Sequence, residues 1–350
     1  MKKIPGAFAA GLALTLAATT AVQAQTAGDQ KVADFYKGKT VYMIIGSGPG
    51  GSFDLYGRTI GKYMAKYIPG NPTVVPQNLP GAGGYTAGNR VSVTAAQDGT
   101  SIGAIQPAVI MDPVLGDPTQ GIKRLNLAYL GNAAPNIEGC FMRTDAPAKS
   151  FEGAMTTEVV MGATNTTAGS AYGYLMLLRH ILGVKMRIVA GYVSTTEIML
   201  AMDRNEVQAI CGVGYESVLS GKPDWFANDT VRAFTYQGSK ILPEKEMASA
   251  KPAVSYAKTD EQRQIMTLYD RQGEFGRPFV TGATVPPERI AALRAAFMSA
   301  LNDPELRKEL TTRGLDVDPM SGEEVQKLVS AVYATPPEIV EKTRTVMNTK

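Results

Sequence analysis

Short apolar runs alternate along this chain with longer stretches whose apolar positions recur every three or four residues, a pattern that predicts strands and helices in turn. "KTVYMII" (39–45) reads as a strand that breaks into a glycine-rich turn, Gly46-Ser47-Gly48-Pro49-Gly50-Gly51. Helical spacing then runs from about Phe53 to Tyr67, with Ser52 placed to cap its first turn. "PTVVPQN" (72–78) is a second strand, "PGAGG" (80–84) a second glycine-rich turn, and "YTAGNRVSVTA" a helix after it. "TSIGAIQ" (100–106) is a third strand. The order β-α-β-α-β implies a parallel sheet with crossover helices.

An irregular, proline-rich stretch, "QPAVIMDPVLGDPTQG", follows, and "LAYLGNAAPNIEGCFMR" leads into a second run of the same kind. Strands are expected at 158–164, 185–192, 207–213 and 231–237, with the polar loop 165–170 and the helix "YGYLMLLRHIL" after the first of them. Beyond about 260 the pattern is mostly helical. "RPFVTGATV" (277–285) reads as a strand, and helices start at Pro286-Pro287, at Asp303-Pro304 and over Glu323 to Val332. Two β/α units of similar size describe a two-lobed α/β protein. Ligands of such sheets sit at the carboxyl ends of the strands, here the loops after 45, 78, 106, 164, 192 and 213.

The first residues change the picture by setting the compartment. Met1-Lys2-Lys3 is basic, Ala7 to Ala18 is apolar, and Val22-Gln23-Ala24 puts small residues at the −3 and −1 positions of a cut. This pattern predicts a signal peptide over 1–24, cleaved near Ala24, and a mature protein that is soluble in the periplasm. No Cys at the cut points to a lipid anchor. The 350 residues, 44% hydrophobic, suffice for one large or two medium domains, and the net charge of +3, spread rather than massed, argues against a nucleic-acid partner. Cys140 and Cys211 both lie in apolar, strand-like runs. In an oxidising compartment they form a disulfide if adjacent strands bring them together, or stay as two buried thiols, and both alternatives are open at this point.

Gly46, Gly48 and Gly51 match G-x-G-x-x-G, the dinucleotide fingerprint. Pro49 removes an amide from the phosphate cradle, and the second strand ends in Asn78 where an acid would take the ribose hydroxyls. Export separates the protein from nicotinamide cofactors, so no cofactor is expected. The single histidine, His180, reads as a residue at a helix C-terminus, and no G-x-S-x-G elbow accompanies it. Ser255 to Lys258 matches S-x-x-K without its companion motifs, and one His with two distant Cys makes no metal site. No catalytic residues are therefore assigned. What remains are glycine- and hydroxyl-rich loops at helix starts, at 46–54, 80–84 and 164–170, where backbone amides receive anions. Three such loops facing one crevice suggest a ligand with more than one carboxylate.

These residues carry a resemblance. Pro49-Gly50-Gly51-Ser52-Phe53-Asp54 is similar to P-P-G-G-x-x-D, Asn78-Leu79-Pro80-Gly81-Ala82-Gly83-Gly84 to N-x-P-G-A-G-G, and Asp98-Gly99-Thr100 to part of A-x-P-D-G-Y-T-L. With the late segment "RPFVTGATVPPERIAALRAAFMSALNDPELRKEL", they resemble the Bug-type periplasmic solute-binding receptors of tripartite tricarboxylate transporters over essentially the whole mature chain. The resemblance implies a type II periplasmic binding protein fold, two β/α lobes with a ligand cleft between them. Residues 25–133 would form the first part of lobe 1 and 134–237 lobe 2, with 238–350 returning to lobe 1 and ending in helices. It implies a monomer, not an enzyme, that captures a small carboxylate (a di- or tricarboxylate, or an aromatic acid) and delivers it to membrane permease subunits.

Carried over by position, the ligand would touch Gly50, Gly51, Ser52, Phe53, Asp54, Ala82, Gly83 and Gln106 on one lobe. On the other it would touch Thr166, Ser170, Tyr172, Tyr192, Ser194 and Tyr215. The second lobe departs from the family. Ala171, Tyr172 and Gly173 replace the end of S-x-x-H, and "CGVGYES" lacks the usual Asp. Tyr172, Tyr192 and Tyr215 then line a flatter, aromatic-acid site or merely pack the lobe. A sensing module for a membrane kinase and, more remotely, an exported enzyme are the alternatives.

Overall fold

The computed structural model describes residues 30–116, 118–164, 171–238, 245–248 and 250–349; the expected signal segment, Thr166 and Ser170 lie outside them. Its strands in chain order are β1 (Thr40–Ile45), β2 (Thr73–Asn78), β3 (Ser101–Ala104), β4 (Leu127–Asn132), β5 (Glu138–Arg143), β6 (Val159–Ala163), β7 (Met186–Ala190), β8 (Ala209–Gly214), β9 (Val231–Tyr236), β10 (Pro278–Gly282) and β11 (Met320–Ser321). They form two sheets, one ordered β11-β4-β10-β3-β1-β2 and the other β7-β6-β8-β5-β9. β1 runs parallel to β2 and β3, and β6 parallel to β7 and β8, as the β/α alternation predicts. In the first sheet β10 pairs antiparallel with both β3 and β4, and β11 with β4; in the second β5 pairs antiparallel with both β8 and β9.

Helices cover both faces of the first sheet. Tyr56, Ile60, Tyr63 and Met64 of the helix Ser52–Tyr67 make one buried stripe at helical spacing. Leu293, Ala296, Phe297 and Ala300 make another on the helix Pro287–Asn302, where Phe297 meets Phe279 of β10 at a ring distance of 5.0 Å. In the second sheet the helix Ala171–His180 is buried from Tyr172 to Leu178, because a second layer lies over it. Tyr174 stacks on Tyr269 of the helix Asp260–Glu274 at 5.3 Å, and the Tyr172 hydroxyl donates to Thr349 O at 3.3 Å, just beyond the helix Pro337–Met347. His180 closes this helix and is exposed, the place expected for it.

Cys140 on β5 and Cys211 on β8 face each other in register, their Cα atoms 4.0 Å apart, and form a disulfide. The question left open by the sequence is thus settled in favour of the bridge.

The stretch "LAYLGNAAPNIEGCFMR" contributes two strands, β4 and β5, in different sheets. The helix expected after Gly84 is present, an α-helix over Tyr85–Asn89 that runs on as a wider π-helix over Arg90–Thr94.

The chain crosses between the sheets from Asn132 to Glu138 and returns between Tyr236 and Pro278. The crossings run side by side. Asn136 N donates to Gly273 O at 2.7 Å, Ala133 N to Arg277 O at 3.0 Å, and Arg277 N to Asn132 Oδ1 at 2.7 Å. This pair of strapped segments joins the lobes and floors the space between them.

Candidate functional site

On the first lobe, three strand-end loops converge. Ser52 is not the cap expected of it. Gly51 holds the cap position, without a side chain, and Ser52 is the first helical residue. The loop is instead gripped by Asp54, whose buried carboxylate accepts from Gly50 N at 2.9 Å, Arg58 Nε at 2.8 Å and Asn78 Nδ2 at 2.7 Å. Burial pushes the Asp54 carboxyl up, but the bonds from Arg58, Gly50 and Asn78 outweigh it and hold it below the usual range. Asp54 is thus a brace for the first glycine loop, its oxygens taken by these bonds.

Gly50, Gly51, Ala82 and Gly83 remain exposed on this face. Gly84 has φ of +89°, and a Cβ there would come within 3.2 Å of Gln106 N, so a glycine is needed for the second and third loops to touch. The loops that carry the first-lobe residues therefore lie against one another at the strand ends, with Asp54 as their brace.

On the second lobe several expected contacts have other work. Ser194 caps the helix Thr195–Asp203, its Oγ accepting from Glu197 N at 3.2 Å. Tyr172 reaches the C-terminal segment, as described above. Tyr215 donates to Glu246 Oε2 at 2.8 Å and packs against Phe226, with ring centroids 5.7 Å apart. Tyr192 packs, partly buried, on the apolar cluster beneath the second sheet. The Tyr172 and Tyr215 hydroxyls thus have protein partners, and Tyr192 has packing contacts within its own lobe.

A cavity of about 360 Å³ opens between the lobes at the double crossing. Phe53, Gln106 and Ala108 line it from the first lobe, Glu138, Ala171 and Gly212 from the second, and Asn136, Gln237, Gln272 and Arg277 from the crossings and their neighbours. Gly212 has φ of +74°, in a register shift of the β5–β8 pair, and a Cβ there would lie 2.3 Å from the Ala171 Cβ. Glycine thus lets the helix Ala171–His180 start against the cavity wall.

Arg277 is set over two rings of the first-lobe helix, with its guanidinium 4.4 Å from the Phe53 centroid and 5.4 Å from that of Tyr56. It donates to Gly276 O at 2.9 Å and to Asn136 Oδ1 at 3.3 Å. Asn136 passes the link on, donating to Glu138 Oε1 at 3.4 Å, while Gln237 donates to Oε2 at 3.3 Å. Burial pushes the Glu138 carboxyl up, while Gln237, Asn136 and Arg277 draw it back.

Of the expected residues, Phe53 and Gln106 line this cavity; Arg277, Asn136, Glu138 and Gln237 went unnoticed. Their one signal was Glu138, an acid at the head of the apolar run "EGCFM". The cavity can hold a small polar molecule between a guanidinium, a carboxyl, several amides and an aromatic ring.

No family model matches the chain. A curated relative, the UPF0065 protein in gbd 5'region of Cupriavidus necator, is 23% identical over 332 residues, 93% of this chain and 94% of that protein. Among solved structures, a TctC solute binding protein from Polaromonas matches with a TM-score of 0.67 at 17% identity, over 88% of this chain and 99% of that one. The periplasmic binding protein BugD matches with a TM-score of 0.56 at 17% identity, over 89% and 98%. An R. palustris protein with adipate matches with a TM-score of 0.56 at 17% identity, over 88% and 97%. The fold is that of the two-lobed periplasmic binding proteins, and the resemblance carried by the two glycine loops meets TctC and BugD among its structural neighbours. Among the described residues, no helix is long and apolar enough to cross a membrane.

Proposed function

We propose that this chain is a periplasmic solute-binding protein that captures a small carboxylate between its lobes and delivers it to the permease of a tripartite tricarboxylate-type transporter. The observation that carries the reading is the interlobe cavity, where Arg277 stands beside strand-end loops whose glycines and exposed helix start favour an anion. The structural neighbour with adipate supports a carboxylate ligand. The double crossing gives the lobes a common hinge, so that closure on the ligand changes the face shown to a permease. The protein acts by binding rather than by catalysis, as the solute-binding character of its neighbours supports.

A thermal-shift screen against mono-, di- and tricarboxylates, aliphatic and aromatic, tests this. A bound carboxylate at a hundredfold excess over its Kd adds ~2.7 kcal/mol to stability. A melting temperature that no carboxylate raises overturns the proposal.

A further inference from the structure

A second cavity, of about 500 Å³, adjoins the cleft cavity and shares Gln237 and Gly273 with it. Its walls are the two crossings, the helix Asp260–Glu274, and the segment from Asp318 through β11 into the helix Gly322–Tyr333. Asp270 lines it, only 3% exposed, and among the described residues neither oxygen of its carboxyl has a hydrogen-bond partner. Arg271, next in sequence, pairs with Glu274 instead. The Gly238 amide draws the carboxyl pKa down without closing a hydrogen bond in this geometry. The other buried polar side chains of the wall are engaged. Asn132 donates to Glu274 O at 3.1 Å and accepts from Arg277 N at 2.7 Å, and Gln237 donates to Glu138 at 3.3 Å. Pro135, Ile137, Met320 and Leu328 give the cavity a partly buried apolar side.

A buried carboxyl without a partner is costly to the fold, and burial drives this one toward the neutral acid. A neutral carboxyl carries an O–H donor and an acceptor oxygen side by side. The group that satisfies both at once has an acceptor next to an N–H, as in a primary amide or a lactam. An ammonium offers donors only and needs the ionised acid, and a carboxylate offers acceptors only. From this geometry we infer that the second cavity is a ligand site of its own, which takes a small neutral molecule with an apolar body and an amide-like head that docks on Asp270. The apolar side receives the body, and its size is in the range of small-molecule pockets. The site stands apart from carboxylate capture, which turns on Arg277 and not on Asp270.

Titration calorimetry at pH 7 on the exported full chain compares two molecules with the same six-membered ring, cyclohexanecarboxamide and cyclohexylmethylamine. The amide is expected to bind at least about tenfold more tightly than the amine, and Asp270→Leu, which removes both bonding atoms, to weaken the amide by at least about tenfold. Asp270→Asn keeps a donor beside an acceptor without an ionisable group, and is expected to bind the amide within about threefold of wild type. Leu328→Trp, which fills the cavity from the helix Gly322–Tyr333, is expected to abolish amide binding, and it serves if Asp270→Leu fails to fold. Absence of amide binding overturns the inference and leaves the carboxyl to water. So does amide binding that both Asp270→Leu and Leu328→Trp retain, or an amine that binds as tightly as the amide and loses its affinity in Asp270→Asn. Carboxylate capture fails by a different result, a flat carboxylate thermal-shift screen, and neither failure implies the other.

Discussion

Asn78 donates its side-chain amide to Asp54 Oδ1 at 2.7 Å, tying the end of β2 to the first turn of the helix that follows β1. The same amide nitrogen reaches Ser47 O at 3.0 Å, and Arg58 bonds to both Asp54 and Asn78. The aspartate of "GPGGSFD" and the asparagine of "NLPGAGG" are therefore partners in one bonded cluster. Its role is to hold the first glycine loop in a fixed shape before any ligand arrives, which lowers the ordering cost of binding.

Replacing Asp54 with Ala leaves Gly50 N, Asn78 and Arg58 without their shared acceptor. A loss of about 2–4 kcal/mol is expected, the range for breaking a buried, charge-assisted cluster. Urea unfolding measures it, and a loss within error of zero would mean that water replaces the brace at no cost.

The same carboxylate sets a pH dependence. Its folded pKa is depressed, so its stabilisation is fully present above the ordinary carboxylate value of ~3.9 and is lost as pH falls through the lower folded value. Asp54→Asn has no such charge to lose. The gap between wild type and this variant is expected to be constant from pH 7 to about pH 5 and to narrow below about pH 4, as read by unfolding midpoints across that range.

The Cys140–Cys211 bridge closes a loop over a sequence separation of 71 residues, and both cysteines are buried. Chain-entropy arguments put the contribution of a native bridge at about 2–5 kcal/mol. The Cys140→Ala, Cys211→Ala pair is expected to melt at a lower temperature in calorimetry and to be less stable by that amount. Because the sulfurs are covered, mild reductant should leave the folded wild type unchanged and lower its stability only where it unfolds. Rapid reduction of the native protein would show that β5 and β8 open locally.

Asp270 is a counterpart of opposite sign. It is buried in the helix Asp260–Glu274 beside the double crossing, and burial drives its carboxyl well above the usual range. Neighbouring Glu274 adds to the rise, while the Gly238 backbone amide and Arg271 oppose it. A carboxyl held neutral in the fold but ionised in the unfolded chain costs stability as pH rises above ~3.9. Asp270→Asn removes that cost. It is expected to stabilise the protein at pH 7, on the order of 1–3 kcal/mol if the amide meets the same surroundings, and to give no gain below about pH 4. A variant less stable than wild type at pH 7 would show that the ionised Asp270 is compensated.

The parts legible in the sequence are those with local signatures. β6 and β9 begin and end within about two residues of their apolar runs, because a strand buried on both faces is written as a continuous apolar stretch. Phe53 and Gln106 were reachable because they follow strands in a β/α pattern. Asn136, Glu138 and Arg277 were not. Asn136 and Arg277 are 141 positions apart and meet only because two crossing segments with no periodicity run together. Tyr172, Ser194 and Tyr215 lie after strands too, but the partners of their side chains, at the C-terminus, in a helix cap and on Glu246, carry no signal in the local sequence.

Arg277 is the residue on which the proposed carboxylate capture turns. Its guanidinium rests on Phe53 and Tyr56 from the first lobe while its backbone amide donates to Asn132 at the crossing, so one residue links crossing, lobe and cavity. Lysine keeps the charge but has neither the plane that stacks nor the fork that grips a carboxylate with two bonds. Arg277→Lys is expected to weaken binding of any carboxylate that shifts the wild-type melting temperature by about 10–100-fold, or ~1.4–2.8 kcal/mol. Phe53→Leu, which removes the ring but not the charge, is expected to cost less, about 0.5–2 kcal/mol. Calorimetric titration of both variants separates the effects. An Arg277→Lys protein that binds as wild type would confine Arg277 to bracing the crossing and move the anion contact to the backbone amides of Gly50 to Phe53.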